Sequence, residues 1–269
     1  MLLAQTAVES RIVLITGAGS GIGRELAHLF HRDGAHLIAA SLVEDELSAL
    51  REQLGGRRVS TKTIDLAREG AAEELFAFTQ AQGLSVDTLV NNAGFGLFGE
   101  HLELDAERVT RMLVLNTLTP TRLCSLYGRQ MRTLGRGRIL NVASTTALQA
   151  LPFLAAYAAT KHYMVAFSEA LHDELARAGV QVTTVLPGTT RTPFLDVAGL
   201  HASTGGVAGV AHRVAMSPHE VACAAYEGLL AGERRVIPGR LNKAHALVAE
   251  LLPRAAMRRV AGRLFELMG

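Results

Sequence analysis

The sequence predicts one α/β domain, a doubly wound parallel sheet of about seven strands with helices on both faces. Short apolar runs rich in Val and Ile alternate with longer stretches of helical period, the pattern of βαβ units feeding a parallel sheet. The run from 12 to 15 is apolar throughout, as a strand buried on both faces must be, and such burial requires helices on each side. At 269 residues the chain can fill one large, well-buried core, and no linker run marks off a second domain.

Strands are expected at 11 to 16, 35 to 40, 58 to 63, 86 to 91, 137 to 143, 180 to 186 and 233 to 237, with helices in the gaps and right-handed crossovers. Residues 1 to 239 form the domain, including a substrate lid near 190 to 216. Within it, residues 196 to 216 are rich in Gly, Ala and His with weak periodicity, and read as a mobile segment. Residues 240 to 269 form a C-terminal amphipathic extension of two helices broken by Pro253. The first sets Leu241, Ala244, Leu247, Val248, Leu251 and Leu252 on one stripe. The second opposes Met257, Val260, Leu264 and Leu267 to Arg254, Arg258, Arg259 and Arg263. Such a tail either docks its apolar face on the body or on a second subunit, or makes a peripheral membrane contact with anionic lipid.

Composition narrows the function. Apolar residues make up 49% and charged residues 19%, which excludes a disordered or acidic chain. A net charge of +2 leaves no electrostatic footprint for nucleic acid, and the absence of Trp weakens any base-stacking platform. Cys124 and Cys223 have neither disulfide-framework nor metal-ligand spacing, so no metal is expected. Together with an N-terminus that lacks a basic, apolar leader, this implies a cytoplasmic protein. Cys124 reads as core or interface filler.

The first strand runs into TGAGSGIG at 16 to 23, followed by an apolar helical pattern at Leu26, Ala27, Leu29 and Phe30. A glycine turn between strand and helix presents free backbone N–H groups and the positive end of the helix dipole to a pyrophosphate. Gly17 permits the tight turn, Gly21 the close approach of phosphate, and Gly23 the packing of helix on strand. The spacing is Gly-x-x-x-Gly-x-Gly, a departure from the general Gly-x-Gly-x-x-Gly fingerprint. An NAD-specific fold of this kind carries an acid at the end of its second strand to bond the ribose 2′-hydroxyl. Here that strand ends Ala39-Ala40-Ser41-Leu42. With no carboxylate at Ser41 nothing repels a 2′-phosphate, Arg24 is the nearest cation, and the reading tilts to NADP(H) over NAD(H). Asp65 follows the third strand, either to accept from the adenine amino group or to cap the next helix.

The fourth strand runs into Asn91-Asn92-Ala93-Gly94, a small polar turn at a strand's carboxyl end, where open α/β sheets bind ligands. The fifth strand delivers Ser144, and Tyr157 and Lys161 stand four apart on the following helix, so they share a face. A phenol titrates near pH 10 in water, and an ammonium within about 4 to 6 Å lowers that value. Tyr157 can then exchange a proton with a substrate oxygen while the Ser144 hydroxyl holds that oxygen. An isolated Tyr-x-x-x-Lys pair is as well explained by a surface tyrosine beside a solvated lysine; its company here argues for chemistry.

Taken together, these residues resemble the classical short-chain dehydrogenase/reductase family. The match covers roughly 10 to 237: TGxxxGxG at 16 to 23, Asp65, NNAG at 91 to 94, Asn116, Ser144 thirteen before Tyr157, Lys161, and Pro187-Gly188 followed by Thr192. The resemblance implies a Rossmann-type sheet with a seventh strand, usually in a homodimer or homotetramer. It also implies catalysis by Asn116, Ser144, Tyr157 and Lys161. In that scheme Asn116 locally distorts its helix and holds a water in a proton relay with Lys161 and Tyr157, and Lys161 also bonds the nicotinamide ribose. Cofactor contacts are implied at Thr16, Gly17, Gly19, Ser20, Gly21, Ile22, Gly23, Ser41, Asp65, Leu66, Asn92, Ala93, Gly94, Tyr157, Lys161, Pro187, Gly188, Thr190 and Thr192, with Thr190 replacing the usual Val or Ile.

Around the reacting carbon the sequence places Phe95, Leu97, Phe98, Leu148, Leu151, Phe153, Leu154 and Phe194, a wall suited to a small hydrophobic carbonyl or alcohol. About half of these are expected to pack lid on core instead. His101, His201 and His212 read as solvated residues and receive no role. The expected function is an NAD(P)-dependent oxidoreductase, foremost a ketoreductase. The alternatives are a catalytically silent nucleotide-binding scaffold and a membrane-associated lipid or steroid reductase.

Overall fold

The computed structural model describes residues 11–199 and 215–251. Seven parallel strands, β1 (Ile12–Thr16), β2 (His36–Ser41), β3 (Val59–Thr63), β4 (Thr88–Asn91), β5 (Gly137–Val142), β6 (Val180–Val185) and β7 (Arg235–Val236), lie in the order β3-β2-β1-β4-β5-β6-β7. The chain starts in the middle of the sheet, winds outward to β3, then crosses to β4 and winds the other way. The reversal between β1 and β4 opens a crevice at the strands' carboxyl ends, where such sheets hold ligands.

Side chains alternate across β1: Val13 and Ile15 face one core, Leu14 the other. The first core joins the sheet to α1 (Gly21–Arg32), α2 (Glu44–Gln53) and α8 (Pro218–Ala231) through Leu26, Phe30, Leu47, Leu50 and Leu229. Phe30 meets Tyr226 edge to face, with ring centres 4.9 Å apart. The second core joins it to α3 (Ala71–Ala81), α5 (Thr119–Leu134) and α6 (Ala155–Ala176) through Leu75, Leu123, Met131 and Leu175. There the buried Tyr127 hydroxyl reaches Thr79 Oγ1 at 3.1 Å. Cys124 lies in this core, its thiol pushed up to about 12 by burial.

The strand ends depart from the expected boundaries where a competing bond takes the residue. β4 begins at Thr88 because the Asp87 carboxylate accepts from Ile12 N–H at 3.1 Å and so anchors the start of β1. β7 is only two residues long. Glu233, expected in the strand, instead donates its N–H to Gly228 O and closes α8 behind the left-handed Gly232.

Between β4 and β5 lie α4 (Ala106–Leu113), a π-helical turn at Val114–Leu118 and then α5. A 3₁₀ turn at Thr145–Leu148 leads toward α6, and α7 (Phe194–Val197) lies in the stretch expected as a lid. Residues 200–214 of the expected lid, including His201 and His212, lie outside the described residues, as does the second amphipathic stretch beyond Leu251.

The last helix, α9 (Arg240–Leu251), turns part of its apolar stripe away from the body. Leu241, Leu247 and Val248 are 71%, 58% and 46% exposed, whereas Ala246 is 3% exposed. Small and polar side chains make the contact: the Asn242 amide packs against Gly188, at a spacing a Cβ there would fill, and donates to Pro238 O at 2.8 Å. No helix of the described residues is long and apolar enough to cross a membrane.

Candidate active site

The glycine turn after β1 uses positive φ at Gly17 (+64°) and Gly21 (+54°). A Cβ on Gly17 would lie 2.9 Å from Ala93 Cα, and one on Gly23 would collide with Gly17 O. The turn therefore lies directly on the loop after β4. Thr16 Oγ1 accepts from the N–H groups of Asn92 (3.0 Å) and Ala93 (3.1 Å), and Asn92 Nδ2 donates to the carbonyls of Thr16 and Gly17 at 3.0 Å each. Asn91 ties β4 to β5 through Asn141 Oδ1 at 2.8 Å. Ser20 occupies the N-cap of α1 with extended backbone, yet its hydroxyl makes no capping bond, and the first turn holds no acid. The uncapped N–H groups and the free hydroxyl suit a pyrophosphate.

At the far end of this cradle stands a carboxylate that the end of the second strand does not itself carry. Ser41 is buried as expected at the end of β2, but Glu46 folds back from α2. Its Oε2 sits where a Cβ on Gly19 would be, and that Cβ would also lie 3.0 Å from Ser41 Oγ. A carboxylate thus stands beside Gly19 and Ser41 after all, 25 residues beyond Gly21. Arg24 Nε is engaged with Gly19 O at 2.7 Å. Asp65 does not cap α3, which begins later, behind Gly70; its carboxylate accepts from Ala67 N–H (2.9 Å) and pairs with Arg111 (2.8 Å). Burial pushes this carboxyl up, but the Arg111 and Ala67 bonds outweigh it and hold it below the usual range. Leu66 is a core side chain whose carbonyl accepts from Thr119 Oγ1.

The residues expected to be catalytic are buried. Tyr157 stands in the first turn of α6 and Lys161 one turn on, its Nζ 5.7 Å from the phenol ring centre and donating to Val142 O at 3.0 Å. Ser144 Oγ accepts from Thr146 N–H at 3.1 Å, which leaves the serine proton free to donate outward. Asn116 lies in the π-helical turn, the local distortion that the resemblance implies. Its amide is occupied, Nδ2 donating to Phe95 O (2.9 Å) and Thr160 Oγ1 (3.2 Å), and Oδ1 accepting from Phe95 N–H (3.2 Å).

Burial, rather than the ammonium, sets the direction in which the phenol shifts. Burial pushes Tyr157 up to about 12, against the hydroxyls of Ser144 and Thr146, which favour its anion. The same burial brings Lys161 down to about 8. At neutral pH the site therefore holds a phenol with its proton on, beside an ammonium.

A cavity of about 370 Å³ joins both ends. Of the expected cofactor positions it is lined by Gly17, Ser20, Gly21, Ile22, Asn92, Ala93, Gly94, Pro187, Gly188, Thr190 and Thr192, with Ser144, Tyr157 and Lys161 at its heart. Thr16, Gly19, Gly23, Ser41, Asp65, Leu66 and Asn116 are not among its lining residues. Of the expected apolar wall, Phe95, Leu154 and Phe194 line the cavity, Phe194 with its ring 5.5 Å from that of Tyr157. Leu97 packs with Met112, Leu148 with Met164, Leu151 with Ala158, and Phe98 against Phe153. Sequence reasoning missed Thr146, Val197 and Ala198 in the lining. Gly96 was also missed: a Cβ there would lie 3.0 Å from the Phe194 ring and 3.3 Å from that of Tyr157.

Residues 11–200 match the family model described as short chain dehydrogenase. The protein of Mycobacterium tuberculosis named "Probable oxidoreductase EphD" is 34% identical over 194 residues, which is 71% of this chain and 33% of EphD. The chain therefore spans about a third of that relative's length. Among solved structures, a 7β-hydroxysteroid dehydrogenase superposes with a TM-score of 0.83 at 26% identity, covering 94% of this chain and 96% of its own. A short-chain dehydrogenase from Sphingobium yanoikuyae in complex with NADPH gives 0.78 at 28% identity, covering 91% and 97%.

The buried amine has a consequence for stability. An unfolded lysine keeps its proton up to its ordinary value of 10.5, whereas the folded one releases it near 8. Between these values the unfolded state binds more protons, so stability rises with pH. Chemical denaturation of wild type and Lys161→Met from pH 7 to 9.5 should show a rise in wild type that the variant lacks, with the variant at least as stable at pH 7. Parallel curves would show that Lys161 is not held out of water.

Proposed function

The chain belongs to the short-chain dehydrogenase family, and from that premise we propose that it is a nicotinamide-dependent oxidoreductase acting as a ketoreductase on hydrophobic ketones and the corresponding secondary alcohols. The observation that carries this reading is the convergence of the Ser144 hydroxyl, the Tyr157 phenol and the Lys161 ammonium on one cavity with the glycine turn and the 187–192 segment.

The bound cofactor supplies the hydride. The chain's own groups handle the oxygen. Ser144, oriented by the Thr146 N–H on its lone pair, donates to the carbonyl oxygen and stabilises charge as it develops. Tyr157 gives up its proton to the same oxygen as the C–O bond becomes an alkoxide, and Lys161 offsets the negative charge left on the phenol. A phenol that keeps its proton at neutral pH suits the acid role in reduction. Asn116 holds Phe95 and, through Thr160, the first turns of α6, and so fixes the distance between lining and phenol.

Phe95, Leu154, Phe194, Val197 and Ala198 would leave polar substrate groups unpaired, which supports a hydrophobic substrate. The resemblance to a hydroxysteroid dehydrogenase points the same way. For the cofactor we favour NAD(H) over the NADP(H) that the sequence suggested, because Glu46 beside Gly19 and Ser41 would accept from a 2′-hydroxyl and repel a 2′-phosphate. Leu113, Leu118 and Tyr163, exposed on α4, the π turn and α6, offer an apolar face for a homodimer or homotetramer.

Tyr157→Phe keeps the ring and loses the proton. Turnover of a panel of aryl and alicyclic ketones, followed by nicotinamide absorbance, should fall by about 100- to 10,000-fold with cofactor affinity unchanged. A full-rate variant would remove Tyr157 from the reaction. Wild type should bind NADH more tightly than NADPH in a fluorescence titration, and Glu46→Gln should shift the ratio of dissociation constants toward NADPH by roughly tenfold. An unchanged ratio would acquit Glu46.

A further inference from the structure

We propose that Thr146 is a positioning residue for the proton transfer: its hydroxyl, unpartnered on the turn that lines the cavity with Tyr157, donates to the phenolate that remains once the proton has left. This rests on the function proposed above and adds a fifth side chain to its machinery.

Three observations lead to it. First, Thr146 lines the same cavity as Ser144 and Tyr157, yet its Oγ1 is shut off from solvent and has no hydrogen-bond partner. A buried hydroxyl without a partner is costly, and at a reaction centre the cost is offset when the group finds its partner during the reaction. Second, the residue is held in place. Its N–H donates to Ser144 Oγ at 3.1 Å, Ala147 N–H to Ser144 O at 3.0 Å, and Thr145 N–H to Pro187 O at 2.9 Å, so the 3₁₀ turn is pinned to both the catalytic serine and the cofactor wall. Third, the Thr146 hydroxyl, like that of Ser144, favours the ionised phenol against burial.

Proton counting separates the two hydroxyls. In reduction, the hydride forms the new C–H bond of the substrate, the Tyr157 O–H bond breaks, a substrate O–H bond forms, and the negative charge remains on the phenol oxygen. Ser144 has one proton, which is committed to the substrate oxygen. Thr146 has one proton and no other claimant, so it is the side-chain hydroxyl left to donate to the phenolate, with Lys161 supplying charge from one turn away. In oxidation the same bond helps form the base.

The test is the ionisation of Tyr157 in the complex with oxidised cofactor, read by ultraviolet difference titration of each protein against its own Tyr157→Phe counterpart. Thr146→Val keeps the shape and removes the hydroxyl; Thr146→Ser keeps the hydroxyl. The midpoint should rise by about one pH unit in Thr146→Val and return to within a few tenths of wild type in Thr146→Ser, with cofactor affinity unchanged in both. Coincident midpoints in wild type and Thr146→Val would overturn the proposal, as would a shift of the same size in Thr146→Ser. The readout requires no turnover: a protein inactive on every ketone, but with the midpoint displaced in Thr146→Val alone, would sink the reductase reading and sustain this one.

Discussion

Lys161 keeps an amine out of water at the carboxyl edge of a parallel sheet, and most of the site follows from the cost of doing so. Its ammonium needs an acceptor and finds Val142 O at the end of β5. That bond sets the second turn of α6 against the sheet, and Tyr157, one turn earlier, is carried to the cavity with it. Lowered by burial to about 8, the amine still holds its charge at neutral pH, beside a phenol that the same burial keeps protonated. Under the proposed function, the pair would serve as an acid with its charge compensation already in place, the state a carbonyl reduction begins from.

A polar seam through the core makes that placement rigid. Asn91 donates to Asn141 at 2.8 Å, and Asn141 donates to Ser168 of α6 at 2.8 Å, so β4, β5 and the catalytic helix are joined by side chains that water does not reach. At the crevice, Thr16 and Asn92 stitch the glycine turn to the loop after β4. The seat for phosphate and the seat for the phenol are therefore fixed to each other through the sheet rather than through mobile loops, as reactions sensitive to small displacements require.

Features written in local periodicity were legible in the sequence. The seven strands follow from apolar runs, the glycine turn from its place between a strand and a helix, and the Tyr157–Lys161 pair from the pitch of a helix. Features made by long-range contact were not. Glu46 reaches Gly19 only because α2 folds back over the glycine turn, and Asp65 meets Arg111, 46 residues away, only across α4. On α9 the face that meets the body is set by Asn242 finding space against Gly188, a fit that no hydrophobic pattern encodes. The sign of the shift on Tyr157 was lost for the same reason: the ammonium is visible in sequence spacing, whereas the burial that sets the direction is a property of the assembled cavity.

The proposed reaction requires the phenol and the hydride source to share one reacting centre. A crystal structure of the complex with reduced cofactor and a hydrophobic alcohol addresses this directly. It should show the phosphates at residues 17–23 and the alcohol oxygen within hydrogen-bond reach of both Ser144 and Tyr157, with its carbon about 3 to 3.5 Å from the nicotinamide ring. A ring lodged away from Tyr157, with no room for a small molecule between them, would contradict it.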